Sequence, residues 1–179
     1  MHDSKVRNVG LMIMSDDKEK LLKEFGDFIY TFLKNINETK DIRFLSIIMH
    51  QYLDYHTDNI IKSSFKNPNE ILNKTVVFGF YEKCILLKAV GIFDEDKGEK
   101  LLSNIRIINS IRNFYAHNLL DLSSDETIPF KIKDKINSMN KFYGIEFEKD
   151  DSYLFKFKEL CLSTIAELSR IPSNIEVNK

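Results

Sequence analysis

The chain has 179 residues, 43% of them hydrophobic and 30% charged, with a formal net charge of −1. That balance is enough for one core-forming domain and excludes a surface that is basic throughout, so any anion site must be local. Six glycines and three prolines are few, which favours helices over a turn-rich sheet.

Residues 1–14, "MHDSKVRNVGLMIM", read as a flexible N-terminus, with Met12 and Met14 as alternative starts. Their apolar stretch is too short for a secretory signal, and no later run is long enough to span a membrane, so the expected location is the cytoplasm. "SDDKEKLLKEFGDFIYTFLKNI" (Ser15–Ile36) predicts a first helix, with Asp16 as N-cap and Glu19 at capping-box spacing. Leu21, Leu22, Phe25, Phe28, Ile29 and Phe32 then recur at helical spacing. Asn37–Phe65 predicts a longer second helix with Leu45, Ile48, Tyr52, Tyr55 and Asn59 along its stripe. Pro68 interrupts, and "KNPNEILNKT" reads as a loop. Val76–Phe93 predicts an apolar helix with Gly91 at its C-terminal cap. Asp94–Asn118 begins with acids, as a helix N-terminus prefers. A loop containing Pro129, a short helix over 132–144, a last helix over Asp151–Arg170 capped by Asp151 or Ser152, and a frayed tail over 171–179 complete the chain. Together these predict an all-α, single-domain up-and-down bundle of about six helices over residues 15–170. Cys84 and Cys161 lie in apolar helical contexts and read as buried thiols.

The segment "SIRNFYAHNLLD" closes the long helix that starts near Asp94. With about 100° between successive residues, Leu101, Ile105, Ile108, Ile111, Phe114 and Tyr115 spread over one broad side, while Arg106, Asn109, Ser110, Asn113 and His117 cluster opposite. Asn113 and His117 are neighbours at i, i+4. Arg112 lies near the edge of the apolar face, about 140° from His117. To bring Arg112 and His117 together, the helix must loosen before His117 or a partner chain must supply one of them. The plain structural alternatives are that Arg112 pairs with a carboxylate such as Asp54 or Asp58, and that His117 and Asn118 end the helix.

"INSIRNFYAHNLLDLS" resembles the R-x(4–6)-H segment of HEPN domains, small all-α domains that are usually dimeric. Many of these are metal-independent RNases and toxins. Across Arg43–Leu122 the chain looks like the mannitol operon repressor branch of that superfamily. The resemblance carries the motif onto Arg112, Asn113 and His117, and implies a homodimer with two motifs face to face, an RNA substrate, and an antitoxin or regulatory protein partner. The alternative it implies is a catalytically silent transcriptional co-regulator or protein-interaction module.

The residue types suit RNA cleavage. RNA carries its own nucleophile, the 2′-hydroxyl. His117 can move protons near neutrality. Arg112 offers a fork of donors to a phosphate or its transition state, and Asn113 can orient His117 or donate to a phosphate oxygen. No cofactor or metal is expected. His50 and His56 are six residues apart, which is not a shared-face ligand spacing. "DEDKGEK" lacks calcium-loop spacing, and no phosphate-binding glycine loop, nucleophile elbow, helix-turn-helix or basic stripe is present. Asp54, Asp58, Arg106, Asn109 and Tyr115 are secondary candidates, and Tyr52, Tyr55 and Phe114 could stack on bases, although core packing is the stronger explanation for them.

Overall fold

A computed structural model describes residues 30–73, 78–93, 96–118 and 128–171, and all the regular structure in them is helical. The predicted cap at Asp16 and Glu19, the stripe from Leu21 to Ile29, the N-terminal 14 residues and nearly all of the tail lie outside these residues. Two compact units divide between Glu38 and Thr39. In the first, residues 30–38 form helix α1, where Phe32 and Ile36, one turn apart, are buried.

The second unit contains α2 (Ile42–Ser64), α3 (Asn69–Leu72), α4 (Phe80–Ala89), α5 (Asp96–His117), α6 (Phe130–Asn137) and α7 (Tyr153–Leu168). Helix α2 starts later than the periodicity suggests because Asp41 caps it, its carboxylate accepting the Arg43 amide at 2.8 Å. The loop predicted around Pro68 contains the single turn of α3. Gly91 does end α4. It has φ 85°, its amide donates to the Lys88 carbonyl, and the Ile92 amide donates to that of Leu87. This is the Schellman closure that a left-handed glycine permits. In the first turn of α5, a Cβ on Gly98 would come within 2.7 Å of the Phe93 backbone.

Helices α2, α5 and α7 pack on one another, with Leu45, Met49 and Leu53 of α2, Leu101, Ile105 and Ile108 of α5, and Phe157 and Cys161 of α7 all buried. Tyr115, at the end of α5, feels the charges of Asp41 and Arg43 at the start of α2, so the two helices run antiparallel. Both cysteines are buried free thiols; burial pushes Cys84 up to about 12 and Cys161 upward as well. Among the described residues, no helix is long and apolar enough to cross a membrane.

One polar residue organises the middle of this core. Asn104 is fully buried on α5, yet every polar atom of its side chain is bonded. Its Nδ2 donates to the Asn140 carbonyl and to Thr164 Oγ1 on α7, both at 2.9 Å, and its Oδ1 accepts the Asn140 amide at 2.7 Å. This also explains why α6 departs from prediction. It starts at Phe130, with Pro129 as its cap, and stops at Asn137 rather than running to Gly144. Once the Asn140 amide is drawn to Asn104 the helix cannot continue, and Tyr143 and Gly144 turn left-handed at φ 60° and 69°. Helix α7 begins as predicted, with Ser152 Oγ accepting the Phe155 amide.

Candidate functional site

Helix α5 stays helical through His117. The Asn118 side chain then donates to the Phe114 carbonyl at 2.6 Å, and its amide donates to the same oxygen at 3.1 Å. Asn118 therefore caps the helix, and no loosening of the helix brings His117 round to Arg112. His117 is exposed and Asn113 half-buried on the same side. Arg112 is half-buried, and its Nη1 donates to Asn113 Oδ1 at 2.9 Å. The bond ties the guanidinium to the residue that shares a face with the imidazole, across part of the angular gap. Arg112 forms no ion pair with a carboxylate among the described residues.

The carboxylates expected as its partners are taken by another cation. Lys83 of α4 lies 2.8 Å from Asp54 Oδ1 and 2.6 Å from Asp58 Oδ1 on α2. Its side chain is only 11% exposed. Burial disfavours the charge there, but the two carboxylates outweigh it and raise the lysine's pKa. Asp54 and Asp58 are therefore neither an acid–base pair nor a clamp on Arg112; one turn apart, they anchor α4 on α2.

The other secondary candidates separate. Arg106 is exposed, its guanidinium 6.0 Å from the centre of the Tyr81 ring on α4. Asn109 is half-buried, one turn before Asn113. Tyr115 is 2% exposed, with its phenol pushed up to about 12 by burial, and is a core residue rather than a site residue. Tyr52 is likewise buried, while Tyr55 is partly exposed.

Residue spacing alone overlooks two neighbours of the motif. His50 of α2 is within electrostatic reach of Arg112; burial first, then that positive charge, lowers its pKa. Its Nδ1 is buried with no hydrogen-bond partner among the described residues, and its ring meets Phe80 edge-on at 4.7 Å. The second neighbour is α6. Lys135 donates to Ser110 Oγ at 2.7 Å, and Lys131 lies 5.2 Å from the centre of the Phe114 ring. Two residues at i, i+4 on α6 thus meet two at i, i+4 on α5, and cations line the helix just before His117. Among the described residues no group of three or more His, Cys, Asp or Glu is placed to hold a metal. No protein-family model, curated protein or solved structure matches the chain.

Proposed function

We propose that the chain is a HEPN-type, metal-independent endoribonuclease that cleaves RNA by attack of the 2′-hydroxyl, working as a homodimer and held by an antitoxin or regulatory protein. The supporting observation is the end of α5: an exposed His117, Asn113 one turn before it on the same side, and Arg112 hydrogen-bonded to Asn113 without a competing carboxylate partner among the described residues. In this reading His117 moves protons between the 2′-hydroxyl, the phosphate and the leaving 5′-oxygen. Arg112 stabilises charge on the phosphorane, and Asn113 positions the other two. Because α5 is uninterrupted, Arg112 and His117 stay about 140° apart within one chain. Two copies of the α5 end facing each other supply a base, an acid and two guanidinium groups around one phosphate.

The test is incubation of purified protein with RNA in EDTA, beside His117→Ala. Cleavage falls by about 10² to 10⁴-fold in the variant, the usual worth of a proton-transfer group, while the helical circular dichroism is unchanged. Equal cleavage by both proteins refutes the assignment. A second reading, a silent protein-interaction module, is favoured by Phe44, Ile47 and Tyr55, which leave an exposed apolar strip on α2. Under it, neither protein cleaves RNA.

A further inference from the structure

The sequence shows no basic stripe, and the reason lies in how its lysines are spaced. Lys131, Lys133 and Lys135 alternate along α6, so on a helix they cannot share one face. Lys131 and Lys135 turn to α5, as described. Lys133 turns the other way, to 5.5 Å from the centre of the Tyr153 ring at the start of α7, and Asn137, one turn later, donates to Tyr153 Oη at 3.4 Å.

On that second side lies a cavity of about 360 Å³. Lys141, Lys149 and Lys156 line it against a single carboxylate, Glu148, and Ile136, Met139 and Leu160 make its apolar wall. Phe147 supplies an aromatic surface, with Lys141 Nζ 5.0 Å and Lys156 Nζ 6.0 Å from its ring centre. Lys156 is also 5.5 Å from the Tyr153 ring. Cations, π-faces and an apolar wall around a space of this volume match the chemistry of a nucleotide: phosphate for the ammonium groups, a base for the ring and the wall. Excess positive charge at the cavity, in a chain of net charge −1, is a local feature and not an overflow of a basic surface.

We propose that this α6–α7 cavity is a binding subsite for single-stranded RNA, and that α6 joins it to the end of α5: Lys141, Lys149 and Lys156 hold phosphates, Phe147 and Tyr153 offer stacking surfaces, and Lys131 and Lys135 carry the strand on toward Asn113 and His117. The subsite deepens the ribonuclease reading and rests on it for the choice of RNA. Its residues are separate from Arg112, Asn113 and His117, so binding and cleavage can fail independently.

The experiment measures binding of a short fluorescein-labelled single-stranded RNA by anisotropy across a salt series in EDTA. The full chain carries His117→Ala so that cleavage does not intervene. Each lost phosphate contact lowers the salt slope by about 0.7 for a single strand, so Lys141→Gln with Lys156→Gln lowers it by about 1.4 and weakens binding roughly 25-fold at about 0.1 M salt. Lys149→Glu, at an exposed position, weakens binding without burdening the fold. Phe147→Leu weakens binding of RNA but leaves binding of inorganic polyphosphate unchanged. Thermal melts confirm that each variant is folded. Absence of RNA binding by the His117→Ala chain, unchanged binding in the lysine variants, or equal loss of RNA and polyphosphate with Phe147→Leu silent overturns the subsite. These results stand whether or not His117 proves catalytic in the cleavage assay.

Discussion

Asn104 and Asn113 stand on the same helix, nine positions apart, and make opposite use of the same side chain. Asn104 is buried and saturated: its amide bonds the chain at Asn140 and Thr164 of α7, and nothing in it is left to offer a ligand. Asn113 is half-buried with one side-chain bond among the described residues, to Arg112, in a stretch that also exposes His117. A polar residue in an amphipathic helix is thus not itself a sign of function. The useful sign is donor and acceptor capacity that the fold leaves unspent near solvent.

Truncating each asparagine is the sharpest way to break this contrast. Asn104→Ala strands the part-buried Asn140 amide and buried Thr164 and leaves a cavity, and should cost about 3 kcal/mol of stability, read as a lower midpoint in urea unfolding. If the midpoint does not move, the buried network does not hold α6 and α7 as described.

The two central histidines of α2 extend the contrast to pH. His56 is 8% exposed beside Tyr52 and Tyr55, with ring centres at 4.4 and 5.8 Å. Burial lowers its pKa to about 4. In the unfolded chain a histidine takes up its proton near pH 6.5, whereas folded His56 does not until about pH 4. Unfolding therefore binds a proton in that window. Stability contributed by neutral His56 is complete above about pH 6.5 and drains away as the pH falls to about 4, by on the order of 3 kcal/mol. His56→Gln should flatten this slope in urea titrations between pH 7 and pH 4.5; an unchanged slope would assign the acid sensitivity elsewhere.

The smallest expected effect on the fold is that of Asn113→Ala, whose unfolding free energy should stay within about 0.5 kcal/mol of the parent. Its RNA cleavage should drop, with Asn113→Gln recovering part of the loss. A large destabilisation would make Asn113 a second Asn104.

The sequence made much of this legible. Helix α5 falls within two residues of its expected limits because its apolar spacing is regular and acids mark its start. Gly91 declared itself as a cap because only certain residues satisfy that backbone position, and the start of α7 was narrowed to Asp151 or Ser152, of which the structure uses Ser152. Asn104 is passed over, although it sits about 60° from Leu101, inside the buried arc, where a polar residue implies a buried partner. The identity of the partner was not readable, because Asn140 lies 36 residues away in an irregular turn. Nor was the pairing of Asp54 and Asp58 with Lys83 readable, since only the packing of α4 on α2 decides which cation arrives. The uninterrupted end of α5 settles that one chain alone does not bring Arg112 round to His117.

Helix α6 is eight residues long and has a different task for each of three pairs of positions four apart. Ile132 and Ile136 go inward, Lys131 and Lys135 to one flank, and Lys133 and Asn137 to the other. Single substitutions there would each disturb one task. An insertion or deletion of one residue would rotate everything beyond it by about 100°, turning a lysine toward the core and an isoleucine toward solvent. The segment is thus tolerant of spelling changes but not of length changes, a constraint that would be seen as a stretch free of gaps between Pro129 and Ser138 in any set of working variants.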